Sequence, residues 1–167
     1  VGEIGLDLYW DDKYKAEQAE AFKWQIDYAI KHQKPMSIHI RNAFELMYDV
    51  FQNFEAEKLV GSLHCFSGTI DDAKKCTEKY PNLMYGVNGT FTYKNSPLPQ
   101  IFAEVIPLEK VLLETDAPYL SPLPNRGKRN EPSNLKFVLK KVAETYNISL
   151  AEAEQITDSN AHRLFNI

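Results

Sequence analysis

Glu3, His39, His64 and Asp116 each fall at or just beyond the end of a short β-rich run. Two imidazoles and two carboxylates form a donor set suited to Zn²⁺ or Mn²⁺ and, with more oxygen ligation, to Mg²⁺. Each residue also has an ordinary reading. Glu3 can be an exposed strand-end carboxylate, His39 and His64 can be satisfied core histidines, and Asp116 can cap the Ala117-Pro118 turn. Recurrence of one placement at four strand ends favours a shared metal site over four separate coincidences. A closed structural zinc site would call for four side chains, often several of them cysteines. Only Cys65 and Cys76 occur, with no CxxC pair. Cys65 follows His64 directly, so strand alternation predicts that it turns away from the metal side and packs.

The elements that must position these residues alternate between short β-rich runs and longer helical patterns. The predicted strands are Val1 to Ile4, Met36 to His39, Ser62 to His64, Met84 to Val87 and Val111 to Glu114. Ala19, Phe22, Ile26, Ala29 and Ile30 recur at helical intervals until Lys34-Pro35 stops the helix. Leu46, Met47, Val50, Phe51 and Phe54 make a second stripe. Ile70, Ala73, Thr77 and Tyr80 make a third, opened by Thr69 and Asp72 in capping-box spacing, and Leu135, Val138, Leu139, Val142 and Tyr146 mark a fourth. Ser149 and Glu152 open a terminal helical segment. The class is α/β with a parallel sheet, read as one domain over residues 1–167.

Five βα units fall short of the eight that close a (β/α)8 barrel of about 250 residues. An open doubly wound sheet would offer a glycine-rich phosphate loop, and none of the seven glycines forms GxGxxG or GxxxxGK[ST]. The expectation is therefore the C-terminal part of a TIM barrel whose opening strands are absent; in such a barrel the four candidate ligands converge on one mouth. A chain that opens on Val1 with an apparent strand fits that expectation.

A net charge of −4 and a pI near 5.6 argue against broad electrostatic attachment to nucleic acid, so a local site must grip any DNA. Neither end carries an apolar run of membrane-spanning length or a signal-peptide pattern. Two cysteines without a disulfide framework point to reduced thiols in a cytoplasmic protein.

Several motifs go beyond composition. Gly2-Glu3-Ile4-Gly5-Leu6-Asp7, Ile38-His39-Ile40-Arg41, His64-Cys65-Phe66-Ser67-Gly68 and Glu114-Thr115-Asp116-Ala117-Pro118-Tyr119-Leu120 closely resemble, in order, successive motifs of TatD-family deoxyribonucleases. The resemblance continues through Arg126-Gly127-Lys128-Arg129-Asn130-Glu131-Pro132 and Asn160-Ala161-His162-Arg163-Leu164-Phe165 and spans practically the whole chain. It implies a site for two divalent ions, Mg²⁺, Mn²⁺ or Zn²⁺, in which Glu3 bridges both, His39 and His64 ligate one, and Asp116 holds metal and positions the attacking water. It also implies that the five strands correspond to the fourth through eighth of the barrel. The family's first strand carries a His-x-His pair, which this chain lacks; its histidines are His32, His39, His64 and His162.

The implied chemistry is hydrolysis of phosphodiester bonds in DNA, trimming single-stranded or frayed ends, with Asp116 as general base. Arg41, Arg126 and Arg129 are candidates for forked phosphate contacts, against the alternative of solvated surface arginines. Trp10, Phe66, Phe91 and Tyr93 fall in or near strand-to-helix loops, where each reads more readily as packing than as a base-stacking platform. His32 and His162 read as structural. Two other functions remain open on the residues: hydrolysis of a small ester, amide or lactone by the same kind of barrel, and a noncatalytic fragment acting through association. Without its His-x-His pair, the 167-residue chain alone is expected to be weakly active or inactive.

Overall fold

Apolar residues two apart in the strands and three or four apart in the helices set the architecture. The computed structural model describes residues 1–167. Five strands, β1 (Ile4–Asp7), β2 (Met36–Arg41), β3 (Gly61–His64), β4 (Leu83–Val87) and β5 (Val111–Leu113), follow one another in sheet order β1-β2-β3-β4-β5. β1 pairs with β2, β2 with β3 and β4 with β5, each in parallel. Six helices intervene or follow: α1 (Lys15–Lys31), α2 (Phe44–Phe51), α3 (Ile70–Lys79), α4 (Leu98–Val105), α5 (Leu135–Tyr146) and α6 (Leu150–Phe165). The chain divides into two compact units, Val1–Met84 and Tyr85–Ile167. No helix is long and apolar enough to cross a membrane.

In the first unit, α1 buries Ala19, Phe22, Ile26 and Ala29, and α2 buries Met47, Val50 and Phe51. Phe22 meets Phe51 at 5.8 Å between ring centroids, and Phe51 meets Tyr80 edge-on at 5.0 Å. The predicted capping box opens α3: Thr69 Oγ1 accepts the Asp72 N–H, and Asp72 Oδ2 accepts the Thr69 N–H. Each satisfies a backbone donor that the first helical turn would leave unpaired.

In the second unit, Tyr85, Phe91 and Phe102 form an aromatic cluster under α4. Asn160, buried on α6, donates from Nδ2 to the carbonyls of Leu108 and Val111, both at 2.8 Å. The terminal Asn160-to-Phe165 motif thus ties α6 to the entrance of β5. Ser149 Oγ accepts the Glu152 N–H and caps α6.

The structure corrects the reading of several elements. The first strand runs from Ile4 to Asp7, not from Val1 to Ile4. Ile4 and Leu6 are the buried pair, whereas Val1 is exposed, so burial selects the later register. Glu3 consequently precedes β1 and does not lie at its carboxyl end. The second strand continues two residues past His39, to Arg41. Helix α4 has no counterpart in the sequence reading. Pro99 masked it, yet proline is tolerated in a first helical turn, and Leu98, Ile101 and Phe102 supply a buried i, i+3, i+4 stripe.

Candidate metal centre

Parallel pairing brings the first three candidate ligands together. Gly5 pairs with His39, and His39 with His64, across β1, β2 and β3. The bend before β1 carries Glu3 to the same place. Its Oε1 lies 3.0 Å from His39 Nδ1 and 4.0 Å from His64 Nε2. Glu3 is about half exposed and His64 largely buried, so the carboxylate closes an otherwise recessed pair of imidazoles. A carboxylate oxygen facing two imidazole nitrogens fits a divalent cation of the Zn²⁺ or Mn²⁺ type.

Asp7 belongs to this cluster, although sequence reasoning gave it no role. Its Oδ2 lies 3.0 Å from His39 Nε2 and 4.0 Å from Arg41 Nη1, while its Oδ1 accepts the Tyr9 N–H at 2.9 Å. Burial opposes ionisation of Asp7, but the Tyr9 N–H, His39 and Arg41 outweigh it and hold the carboxyl below its ordinary range. The available signal was the strand period, which puts Asp7 and Gly5 on one face beside His39.

Cys65 also departs from expectation. It lies one residue beyond β3 with a positive φ of 48°, so strand alternation no longer governs its direction. Its Sγ lies 3.1 Å from His64 Nε2. The predicted packing role is therefore wrong: the thiol sits against a candidate ligand.

Arg41 stacks over the Tyr9 ring at 3.5 Å, and Tyr9 meets Trp10 edge-on at 4.9 Å. Trp10 is 81% exposed, whereas Phe66 is buried at 3% and cannot serve as a stacking platform without leaving the core. A cleft of about 590 Å³ opens among the segments that follow β1, β2 and β3, lined by Leu8, Lys15, Asn42, Phe44, Ser67 and Thr69 among others.

Asp116, Arg126 and Arg129 belong to the second unit. Asp116 lies three residues beyond β5, half-buried, and its carbonyl accepts the Tyr119 N–H at 2.6 Å. The long segment that follows is braced chiefly by its own side chains. Asn130, buried at 2%, donates from Nδ2 to the Tyr119 carbonyl and accepts at Oδ1 from the Glu131 N–H and Asn134 Nδ2. Ser121 Oγ donates to the Lys128 carbonyl, and the Tyr93 hydroxyl donates to the Ser121 carbonyl. Arg126 lies 4.2 Å over the Tyr93 ring and is exposed, as is Arg129. Phe91 is wholly buried, so its role is packing. His162 Nδ1 sits 2.9 Å from the Asp158 carbonyl, and the His32 ring lies against Tyr28 at 4.3 Å.

A family profile described as TatD-related DNase matches residues 1–166. The chain belongs to this family. It is 40% identical over its whole length to the Bacillus subtilis protein YabD, named an uncharacterized metal-dependent hydrolase, and covers 65% of that protein. It is 37% identical to the Mycobacterium tuberculosis protein TatD, named likewise, covering 64% of it. Among solved structures, YJJV, a TatD homologue from Escherichia coli K12, superposes with a TM-score of 0.87 at 30% identity, covering all of this chain and 63% of that one. The chain thus spans less than two thirds of the length of these TatD-family relatives.

Proposed function

We propose that the intact protein is a metal-dependent hydrolase that cleaves phosphodiester bonds in DNA, trimming single-stranded or frayed ends in the cytoplasm. The observation that carries this reading is Glu3 Oε1 set 3.0 Å from His39 Nδ1 and 4.0 Å from His64 Nε2. In this reading Glu3, His39 and His64 would hold divalent metal, as two imidazoles and a carboxylate suit it. On its motif, Glu114-Thr115-Asp116-Ala117-Pro118, Asp116 would be a further metal ligand. Bound divalent ions supply neutralisation of the phosphate oxygens and a more acidic water.

The chain's own groups do the rest. The Asp116 carboxylate orients the attacking water and accepts its proton as the P–O ester bond breaks, and that proton then passes to the departing oxygen. Arg41, held over the Tyr9 ring and beside Asp7, presents guanidinium N–H groups to a phosphate oxygen. Arg126 and Arg129, both exposed, are further phosphate contacts. Sequential parallel strands and coverage of 62 to 65% of the curated relatives support reading the five βα units as strands four to eight of a (β/α)8 barrel.

The test is cleavage of end-labelled DNA by the full-length protein with Mg²⁺ or Mn²⁺. Asp116→Ala is expected to lower turnover about 10²- to 10⁴-fold, the range for a lost general base, and Glu3→Ala to remove it. Undiminished activity in those variants overturns the assignment, and turnover of a small ester without DNA cleavage replaces its substrate. The 167-residue chain alone is expected to cleave weakly or not at all.

A further inference from the structure

We propose that Asp7 is a positioning residue for His39, accepting its Nε2–H and thereby fixing the tautomer whose bare Nδ1 faces Glu3. A neutral imidazole carries one N–H, yet His39 has a carboxylate oxygen 3.0 Å from each ring nitrogen: Asp7 at Nε2 and Glu3 at Nδ1. Only one of these contacts can be a hydrogen bond from the neutral ring.

Asp7 is the acceptor built in advance. Its N–H donates to Gln18 Oε1 at 2.8 Å, Gln18 Nε2 donates to its carbonyl at 3.1 Å, and the Tyr9 N–H holds its Oδ1. None of these bonds involves His39, so the direction of Oδ2, which also lies 4.0 Å from Arg41 Nη1, is set by groups other than the imidazole. Gly5, opposite His39 in the register, adds no side chain on that face, and Asp7, two residues on, reaches the ring. Glu3, by contrast, is about half exposed and also faces His64. A proton on Nε2 leaves the Nδ1 lone pair free for a cation shared with Glu3 and His64, the arrangement in which an outer carboxylate orients a ligating histidine.

The consequence for metal binding rests on the reading of Glu3 and His39 as ligands; the tautomer itself does not. The experiment is long-range ¹⁵N–¹H NMR of His39 in the metal-free chain at about pH 8.5, above the ordinary imidazole range. Zn²⁺ titration calorimetry is run on the same samples. The wild type is expected to show the Nε2–H tautomer. Asp7→Ala is expected to mix the tautomers and weaken Zn²⁺ binding about 10- to 100-fold. Asp7→Asn keeps an acceptor oxygen and is expected to restore the tautomer and most of the affinity, which a general folding defect would not do. An Nδ1–H or doubly protonated His39 in the wild type, or an unchanged tautomer in folded Asp7→Ala, overturns the proposal. Unchanged Zn²⁺ affinity in Glu3→Ala overturns instead the ligand reading of the site, while the NMR result still decides the role of Asp7.

Discussion

The two units hold their chemical groups in place by different means. In the first, Glu3, Asp7, His39 and His64 sit on or immediately beside three paired strands, and backbone register sets their spacing. In the second, Asp116, Arg126 and Arg129 lie on a long segment between β5 and α5 that has no strand to lean on. Buried side chains hold that segment: Ser121 Oγ and Asn130 Nδ2 donate to its own carbonyls, and Asn134 Nδ2 donates to Asn130 Oδ1. Register fixes a group as firmly as the sheet is stable, whereas a self-braced segment depends on a few buried polar residues that must all be satisfied.

The largest expected effect breaks the register. Gly5 has φ of +137°, and a Cβ there would collide with the His39 carbonyl. Gly5→Ala is expected to cost about 3 kcal/mol or more in denaturant unfolding, from backbone strain plus displacement of β2. It should also disperse the NMR signals of His39 and His64.

Next is the brace of the second unit. Asn130→Ala removes three hydrogen bonds at a residue only 2% exposed and strands the Tyr119 carbonyl. A loss of about 2 to 3 kcal/mol is expected, with faster proteolysis confined to residues 116–134 as the check. The contrast sharpens if Gly5→Ala leaves that segment protected.

Thr69→Ala tests a purely local device. Loss of the capping box at α3 is expected to cost about 1 kcal/mol in thermal unfolding and to leave both sets of chemical groups where they are.

The smallest effect near neutrality concerns the two thiols. Burial is the chief cause that pushes Cys76 up to about 12 from 9.0, so the folded chain holds its proton more tightly than the unfolded one. That contribution is fully present below pH 9.0 and is lost as pH rises toward about 12. Unfolding followed across that window should slope less steeply in Cys76→Ala. At neutral pH a thiol reagent should label Cys65, which is only half-buried, and spare Cys76 until the chain unfolds.

Much of this was legible from short-range pattern. The α1 stripe from Ala19 to Ile30 depends only on helical spacing, and the Thr69–Asp72 box only on residues three apart. The motif residues Glu3, His39 and His64 were legible by type and position, and they meet in space. Other features were not legible, because they depend on partners distant in the chain. Asp7 looks like any strand-end carboxylate until β2 places His39 against it. Cys65 looked like an alternating strand residue until β3 ended at His64. Asn130 and Asn160 stand in motifs that give no sign of burial, yet both are buried, and Asn160 bonds carbonyls some 50 residues away.

Sequence by itself determined the α/β class, the order of the five strands and the identity of the candidate ligands, since each follows from periodicity or from motifs of a few residues. Tertiary structure alone decided which strand residues pair, and so that Glu3 enters the cluster from before β1. It also decided that His39 stands between two carboxylates and that an asparagine holds the Asp116 segment. Those outcomes turn on the burial of Ile4 and Leu6 and on hydrogen bonds between distant residues, which exist only once the sheet has assembled.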